Sequence, residues 1–442
     1  MSRLDGLAAF VANAKASDLP ALDRAILRRH VADVVVARLA GEACSEGRAV
    51  SSFYPPGQGT DSIAGLATLV RLTETDDIHI ASGTTPSSVV VPVALALAAT
   101  DPCSPEQLES AIFVGVDTIV RLGMAIGGAS VLYKGVWPTR AGATLGAAAA
   151  ACRIWGLSEL ETANALSLAV ILSSGRTGRF HGDPSGRWII FAVAVAAGLR
   201  AASAARAGYS GDPTVLDANG LQRSLGVPVD AHALVRDLGR TSVFPELSLK
   251  PYCTSRQALP GAEAMRALIA EGLDPAAIQS FTIRVPSAYA GMIGQKLDPT
   301  LRSSAYVSGA GLAAIAALDP DSLYDIERAK ALKDPRIIDL AGKGHVVTDP
   351  ALDALYPARW PARIEVKTAT ATVAREVVAP FGAPENPMSD RDLDDKAKRV
   401  LAHAGRTDAL GTLRALTGSA FETEESTSAL ARFFVAGRLE PR

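Results

Sequence analysis

Leu22, Ile26, Leu27, Val31, Val34, Val35 and Leu39 recur three or four residues apart, the spacing of one buried face of an α-helix. Gly41 is placed to stop that run. The same pattern continues to about residue 240. Ser104-Pro105 opens a second helix, with Gln107 in the capping-box position, and Ser158 with Glu161 repeats an S-x-x-E cap ahead of ETANALSLAVIL. The stretch from Gly142 to Trp155 is Ala-rich and suits a helix packed closely on its neighbours. Near residue 250 the period changes. Phe281, Ile283 and Val285 alternate with polar residues, as do Ile364 and Val366 before the Thr-rich TATATV, and prolines break up the chain between them. From Ser389 the segment SDRDLDDKAKRVLAHAG is helical again. The predicted fold is mainly α. Residues 1–248 together with 386–442 form a large all-helical domain, and residues 249–385 form a smaller α+β domain inserted in it.

A chain of 442 residues is too long for one compact core, which agrees with two domains. Hydrophobic residues at 48% and charged residues at 20% are a globular composition. The net charge is −2 and no Lys/Arg run is long enough to follow a phosphate backbone, so no nucleic-acid partner is expected. Cys44, Cys103, Cys152 and Cys253 form no C-x-x-C pair, which points away from zinc sites and disulfides and towards a reducing compartment. MSRLDGLAAF lacks the features of a signal peptide, and a cytoplasmic location is expected. The longest apolar run, Trp188 to Leu199, falls short of the roughly 20 residues of a membrane span and reads as a buried helix.

Four segments set polar chemistry beside apolar runs. In Glu74-Thr-Asp-Asp-Ile-His79, Asp76 or Asp77 can orient His79 for proton transfer, while capping of a helix and turn is an equal reading for Asp77. No second His or Cys cluster completes a ligand set, so no metal is expected. The segment Tyr133 to Arg140, with Lys134 and Trp137, leads into a helix N-terminus and suits an anion, although a lone Lys or Arg there is commonly just a solvated charge. The Gly-rich connector from Gly175 to Arg187 holds Arg176, Arg179, His181 and Arg187. That composition suits carboxylate or phosphate binding, with a surface loop as the alternative. The connector does not match G-x-x-x-x-G-K-[ST], so no nucleotide cofactor is expected. The fourth segment, Lys250-Pro-Tyr252-Cys253-Thr-Ser-Arg256, lies where the helical and α+β patterns meet. Cys253 has no Cys-His-Asn pattern around it and reads as a small buried residue, and no G-x-S-x-G elbow supplies a serine nucleophile.

Taken in order, LPALDRAILRRHVADVVVARLAG, TDDIH with TTPSSVVVPVALALA, WPTRAGATLGAAAAACRIWGL and KPYCTSR resemble the MmgE/PrpD family. That family includes 2-methylcitrate dehydratase, cis-aconitate decarboxylase and iminodisuccinate epimerase. The resemblance spans nearly the whole chain. It implies an all-helical domain with a smaller α+β lid, a homodimer, and a cofactor-independent site between the domains. Asp76, Asp77 and His79 match the family's Asp-Asp-x-His segment, and Lys250 matches its junction lysine. The usual HPS triplet is here Thr85-Pro86-Ser87, and the usual His-Pro-Thr is Trp137-Pro138-Thr139. The lysine expected before the helix at 187 is replaced by His181 or Arg179, and the lid tyrosine aligns with Gly311.

The shared chemistry of such enzymes is loss of a proton or CO₂ next to a carboxylate, which requires a base at the carbon and cations on the carboxylate. The resemblance therefore implies His79 as base or acid, oriented by Asp76 or Asp77. Lys250, Arg179 and Arg187 would hold the carboxylates of a small substrate, with Thr85, Lys134 and Trp137 beside it and His181 and Tyr252 as alternative proton donors. Three readings follow. The first is a lyase or isomerase acting on a small di- or tricarboxylate. The second is a biosynthetic enzyme that uses the same equipment for another proton-driven elimination, rearrangement or cyclisation, a reading the two missing histidines favour. The third is a non-catalytic ligand-binding member of the fold.

Overall fold

A computed structural model describes residues 2–55, 57, 59–173, 185–217 and 219–438. The chain is mainly helical and divides into two compact units, Met1–Leu247 with Arg406–Arg442, and Ser248–Gly405.

The first unit contains α1 (Arg3–Asn13), α2 (Ala21–Ala43), α3 (Ser45–Phe53), α4 (Thr60–Arg71), α5 (Ser87–Ala98), α6 (Pro105–Ala125), α7 (Pro138–Ile154), α8 (Glu159–Leu172), α9 (Gly186–Arg206) and the short α10 (Gly220–Leu225). Its centre is α7, in which every residue from Pro138 to Cys152 is buried. A helix can be covered on all sides only if its neighbours come close, and small residues permit that. A Cβ on Gly146 would lie 2.2 Å from Ile119 Cγ1 of α6, and one on Gly198 of α9 would lie 2.2 Å from the Thr144 carbonyl oxygen of α7. The Ala-rich stretch is therefore the packing hub that its composition predicts.

Gly41 does not end its helix: α2 runs through it to Ala43. A Cβ at Gly41 would sit 2.0 Å from the Leu69 carbonyl oxygen, so the glycine is there to let α4 approach. The two predicted caps both form. Ser104 Oγ accepts from Gln107 N at 3.2 Å, but the Gln107 side chain reaches Ile154 O at 2.6 Å and leaves the box half closed. At Ser158 the box is complete. The apolar run at 188–199 lies within α9, whose 21 residues are long and apolar enough to cross a membrane by length and composition. Trp188, Phe191, Ala192, Val195 and Leu199 are buried, and the helix packs on α4, α7 and α8.

The second unit holds α11 (Leu259–Ala270), α12 (Ser287–Ile293), α13 (Arg302–Val307), α14 (Gly309–Leu318), α15 (Pro335–Gly342), α16 (Pro350–Asp353) and α17 (Asp390–His403), with a four-stranded mixed sheet. The predicted strands are present as Ser280–Val285 and Ala362–Lys367, antiparallel, with Phe281 opposite Val366 and Ile283 opposite Ile364. Thr372–Val377 adds one edge, and Gly344–Thr348, parallel to Ser280–Val285, adds the other. The sheet carries α11 and α14. The chain returns to the first unit at Arg406 rather than at residue 386, because α17 is tied to the second unit. Arg399 and His403 both reach Asp321, at 3.5 and 3.0 Å. Beyond it, α18 (Ala409–Ser419) and α19 (Glu424–Ala436) pack on α2 and α5 respectively.

Candidate active site

His79 is held by a tight turn. Its N–H donates to Thr84 O at 2.8 Å, and Gly83 N donates to His79 O at 2.9 Å. Gly83 has φ +66°, and a Cβ there would press on Ala129 Cα at 2.9 Å, so only glycine closes the turn without strain. The imidazole is 3% exposed and engaged at both nitrogens. Ser82 N donates to Nδ1 at 3.1 Å, and Nε2 lies 3.0 Å from Glu246 Oε2. A backbone N–H pointing at Nδ1 makes that nitrogen an acceptor, which puts the ring proton on Nε2, where it is donated to Glu246. Glu246 ends the turn Phe244–Glu246, and the hydrogen bond from His79 draws its carboxyl below the ordinary value, against partial burial.

Neither predicted aspartate takes the part of orienting His79. Asp77 accepts from Ser87 N at 3.2 Å and Ser87 Oγ at 2.5 Å, and faces His30 Nδ1 at 3.0 Å. It caps the first turn of α5 and ties that helix to α2, which is the capping alternative. Asp76 lies 3.3 Å from Arg71 Nη1, which also meets Glu74 at 2.9 Å. The physical reason is competition: Asp77 is held by the N–H and hydroxyl of Ser87 and by His30, and Asp76 by Arg71, so neither carboxylate turns to the ring. Glu246, 167 positions away, does so instead.

The two triplets that differ from the family pattern meet. Thr85 N donates to Thr139 Oγ1 at 3.0 Å, and the two hydroxyls are 3.2 Å apart. Pro86 and Pro138 sit at the starts of α5 and α7, so two helix N-termini converge here. Trp137 stacks on Phe191 with ring centroids 5.8 Å apart, and the Arg71 guanidinium lies over its face at 5.5 Å. On α6, Asp117 pairs with Arg121; burial pushes its carboxyl up, while Arg121 and His79 pull it down.

Lys134 is exposed at the end of the turn Gly128–Lys134, the solvated alternative. Arg187 lies over its neighbour Trp188 at 4.1 Å. Arg179 and His181 lie outside the described residues. Within the second unit Lys250 is 2% exposed. Tyr252 is fully buried and donates to Glu263 Oε1 at 3.2 Å. Burial, with Glu263 beside it, raises its phenol well above the ordinary range, which makes it a weak proton donor. Cys253 is buried, as read.

His30 and Glu246 were missed. The only signal for His30 was a histidine on the apolar face of α2, and for Glu246 there was no local signal at all. Comparison with known families places this arrangement. The family model for the MmgE/PrpD N-terminal domain matches residues 63–226, and that for the MmgE/PrpD C-terminal domain matches residues 252–413. No curated protein matches the chain. The two models together cover the His79 turn, both triplets and most of the second unit, and the chain belongs to the MmgE/PrpD family, a family of lyase- and isomerase-type enzymes.

Proposed function

We propose that the protein removes a proton from the carbon beside a carboxylate of a small di- or tricarboxylate, in a dehydratase- or epimerase-type reaction carried by its own side chains. The observation that carries this reading is the pair formed by His79 and Glu246. The imidazole is fixed on both sides, and its partner carboxylate is 66% exposed on the side chain, at the boundary with solvent where a substrate can arrive. With Nε2–H donated to it, Glu246 stays ionised and has free lone pairs to accept a proton. Glu246 is then the base, and once protonated its carboxyl returns the proton to carbon or to a leaving group while His79 holds it in place. The converging N-termini of α5 and α7, with the Thr85 and Thr139 hydroxyls, supply donors for the negative charge that develops. Lys250, Arg187 and Arg179 are assigned to the substrate carboxylates on the family resemblance. The homodimer and the absence of a cofactor rest on the same resemblance.

A second reading has its own observation. Thr85 and Trp137 stand where imidazoles are usual, and Trp137, stacked on Phe191, puts an apolar aromatic ring in place of a proton carrier. That supports another proton-driven elimination or cyclisation on a biosynthetic intermediate. Incubating the purified protein in D₂O with citrate-, aconitate-, aspartate- and iminodisuccinate-like acids, read by NMR and mass spectrometry, separates the two. Deuterium at an α-carbon or turnover of a panel member supports the first reading. Silence across the panel rejects it and favours the second.

A further inference from the structure

The junction segment Ser248–Arg256 is buried in the chain, and its backbone is pinned by groups of the second unit. Cys253 N donates to Leu323 O at 3.2 Å, Ser255 N donates to Tyr306 O at 2.9 Å, and the Arg328 guanidinium donates to Cys253 O. Burial of polar side chains is ordinarily accompanied by hydrogen bonds. Here two neighbours break that rule. Arg256 is 3% exposed and its Nη1 has no hydrogen-bond partner among the described residues, and the same holds for Ser255 Oγ, 6% exposed.

The acids that act electrostatically on Arg256 are engaged with other groups. Glu263 accepts from Tyr252 at 3.2 Å and lies 3.6 Å from Arg266, and Glu385 lies 3.5 Å from Arg359. Burial draws the Arg256 guanidinium down to about 10, which still leaves it cationic at neutral pH. A buried cation without a matched anion is unfavourable, and a fold keeps one where an anion arrives later. Three positions on begins α11, a 12-residue helix in which Pro260 removes one first-turn N–H and the N-cap, Ala258, offers no side-chain acceptor to those that remain.

We propose that Arg256, with the Ser255 hydroxyl and the first turn of α11, is a carboxylate-binding subsite of the second unit that takes one carboxylate of a small di- or tricarboxylate. The guanidinium presents two parallel N–H groups that match the two oxygens of a carboxylate, and the hydroxyl and helix N-terminus add further donors. This subsite rests on the reading of the protein as a carboxylate-handling enzyme.

The test uses the full chain and its Arg256→Met, Arg256→Lys and Ser255→Ala variants. Each is titrated calorimetrically with citrate, succinate, acetate and inorganic phosphate, and each is melted without ligand. The wild type is expected to bind the dicarboxylate and tricarboxylate in preference to acetate and phosphate. Arg256→Met is expected to lose about tenfold or more in that affinity, and Arg256→Lys to recover only part of it, because a lysine cannot make the paired contact. Without ligand, Arg256→Met is expected to melt no lower than wild type, since it removes a buried charge that the free protein leaves unmatched. An Arg256→Met protein that binds as tightly as wild type would overturn the subsite while leaving the proton-transfer reading standing. The same holds if that variant loses binding only in step with a fall in its own stability. A wild type that binds none of the carboxylates would overturn both. Preference for phosphate would replace the carboxylate with a phosphoryl ligand and overturn the proposal as stated.

Discussion

Asp77 and His79 are two positions apart and do different work. Asp77 satisfies Ser87 and His30 inside the first unit, so Asp77→Ala strands buried donors and is expected to cost about 2–4 kcal/mol of stability by urea unfolding. His79→Ala empties a buried site and is expected to cost less, about 1–2 kcal/mol, because its carboxylate partner Glu246 is largely exposed and is solvated when the imidazole is gone. Equal stability losses in the two variants would contradict the division. The Glu246 carboxyl, lowered in the folded protein from an ordinary 4.5, adds stability above that pH and loses it as pH falls through the lower folded value. Glu246→Gln should therefore flatten the acid side of a plot of melting temperature against pH, and an unchanged slope below pH 4.5 would rule out the linkage. The Asp-Asp-Ile-His segment announced chemistry in the sequence but not its pairing. Spacing along the chain says which groups are near, and only the folded turn says that His79 looks to residue 246 while Asp77 looks to residue 30.

At the scale of elements, periodicity located α2, α6, α8 and α17 because each has one apolar face or a recognisable cap. The strand Gly344–Thr348 was invisible: it is short, only partly buried, and opens on glycine and histidine. Gly41 was misread for a related reason. A glycine that ends a helix and one that admits a neighbouring helix look alike in sequence, and only the position of Leu69 distinguishes them. The close packing around α7 gives a direct check. Gly198→Val places a branched side chain against the α7 backbone and is expected to destabilise by about 1–3 kcal/mol in urea unfolding. A variant as stable as wild type would show that α9 can shift away from α7 at no cost.

At the scale of the molecule, the hydrophobic period changes near residue 250 and the second compact unit begins at Ser248, while α17, whose amphipathic pattern would suit either unit, falls in the second. One surface feature remained hidden inside apolar runs. On α8, Leu160, Ile171 and Leu172 are 73, 56 and 48% exposed, and on the adjoining α9, Ile189 and Val193 are 48 and 51% exposed. Leu160 and Ile171, eleven positions apart, share one face of α8, and Ile189 and Val193, four apart, share one face of α9. If the homodimer implied by the family resemblance forms through these faces, Val193→Asp is expected to convert it to monomer in light scattering, and a wild-type chain that is monomeric at micromolar concentration would contradict that expectation. The central claim concerns proton transfer at His79 and Glu246, and the rate of deuterium wash-in from D₂O into the α-carbon of an accepted carboxylate measures it most directly. His79→Gln is predicted to slow that exchange by about 10²–10⁴ while the protein melts as the wild type does. Exchange at the wild-type rate in that variant would contradict the account.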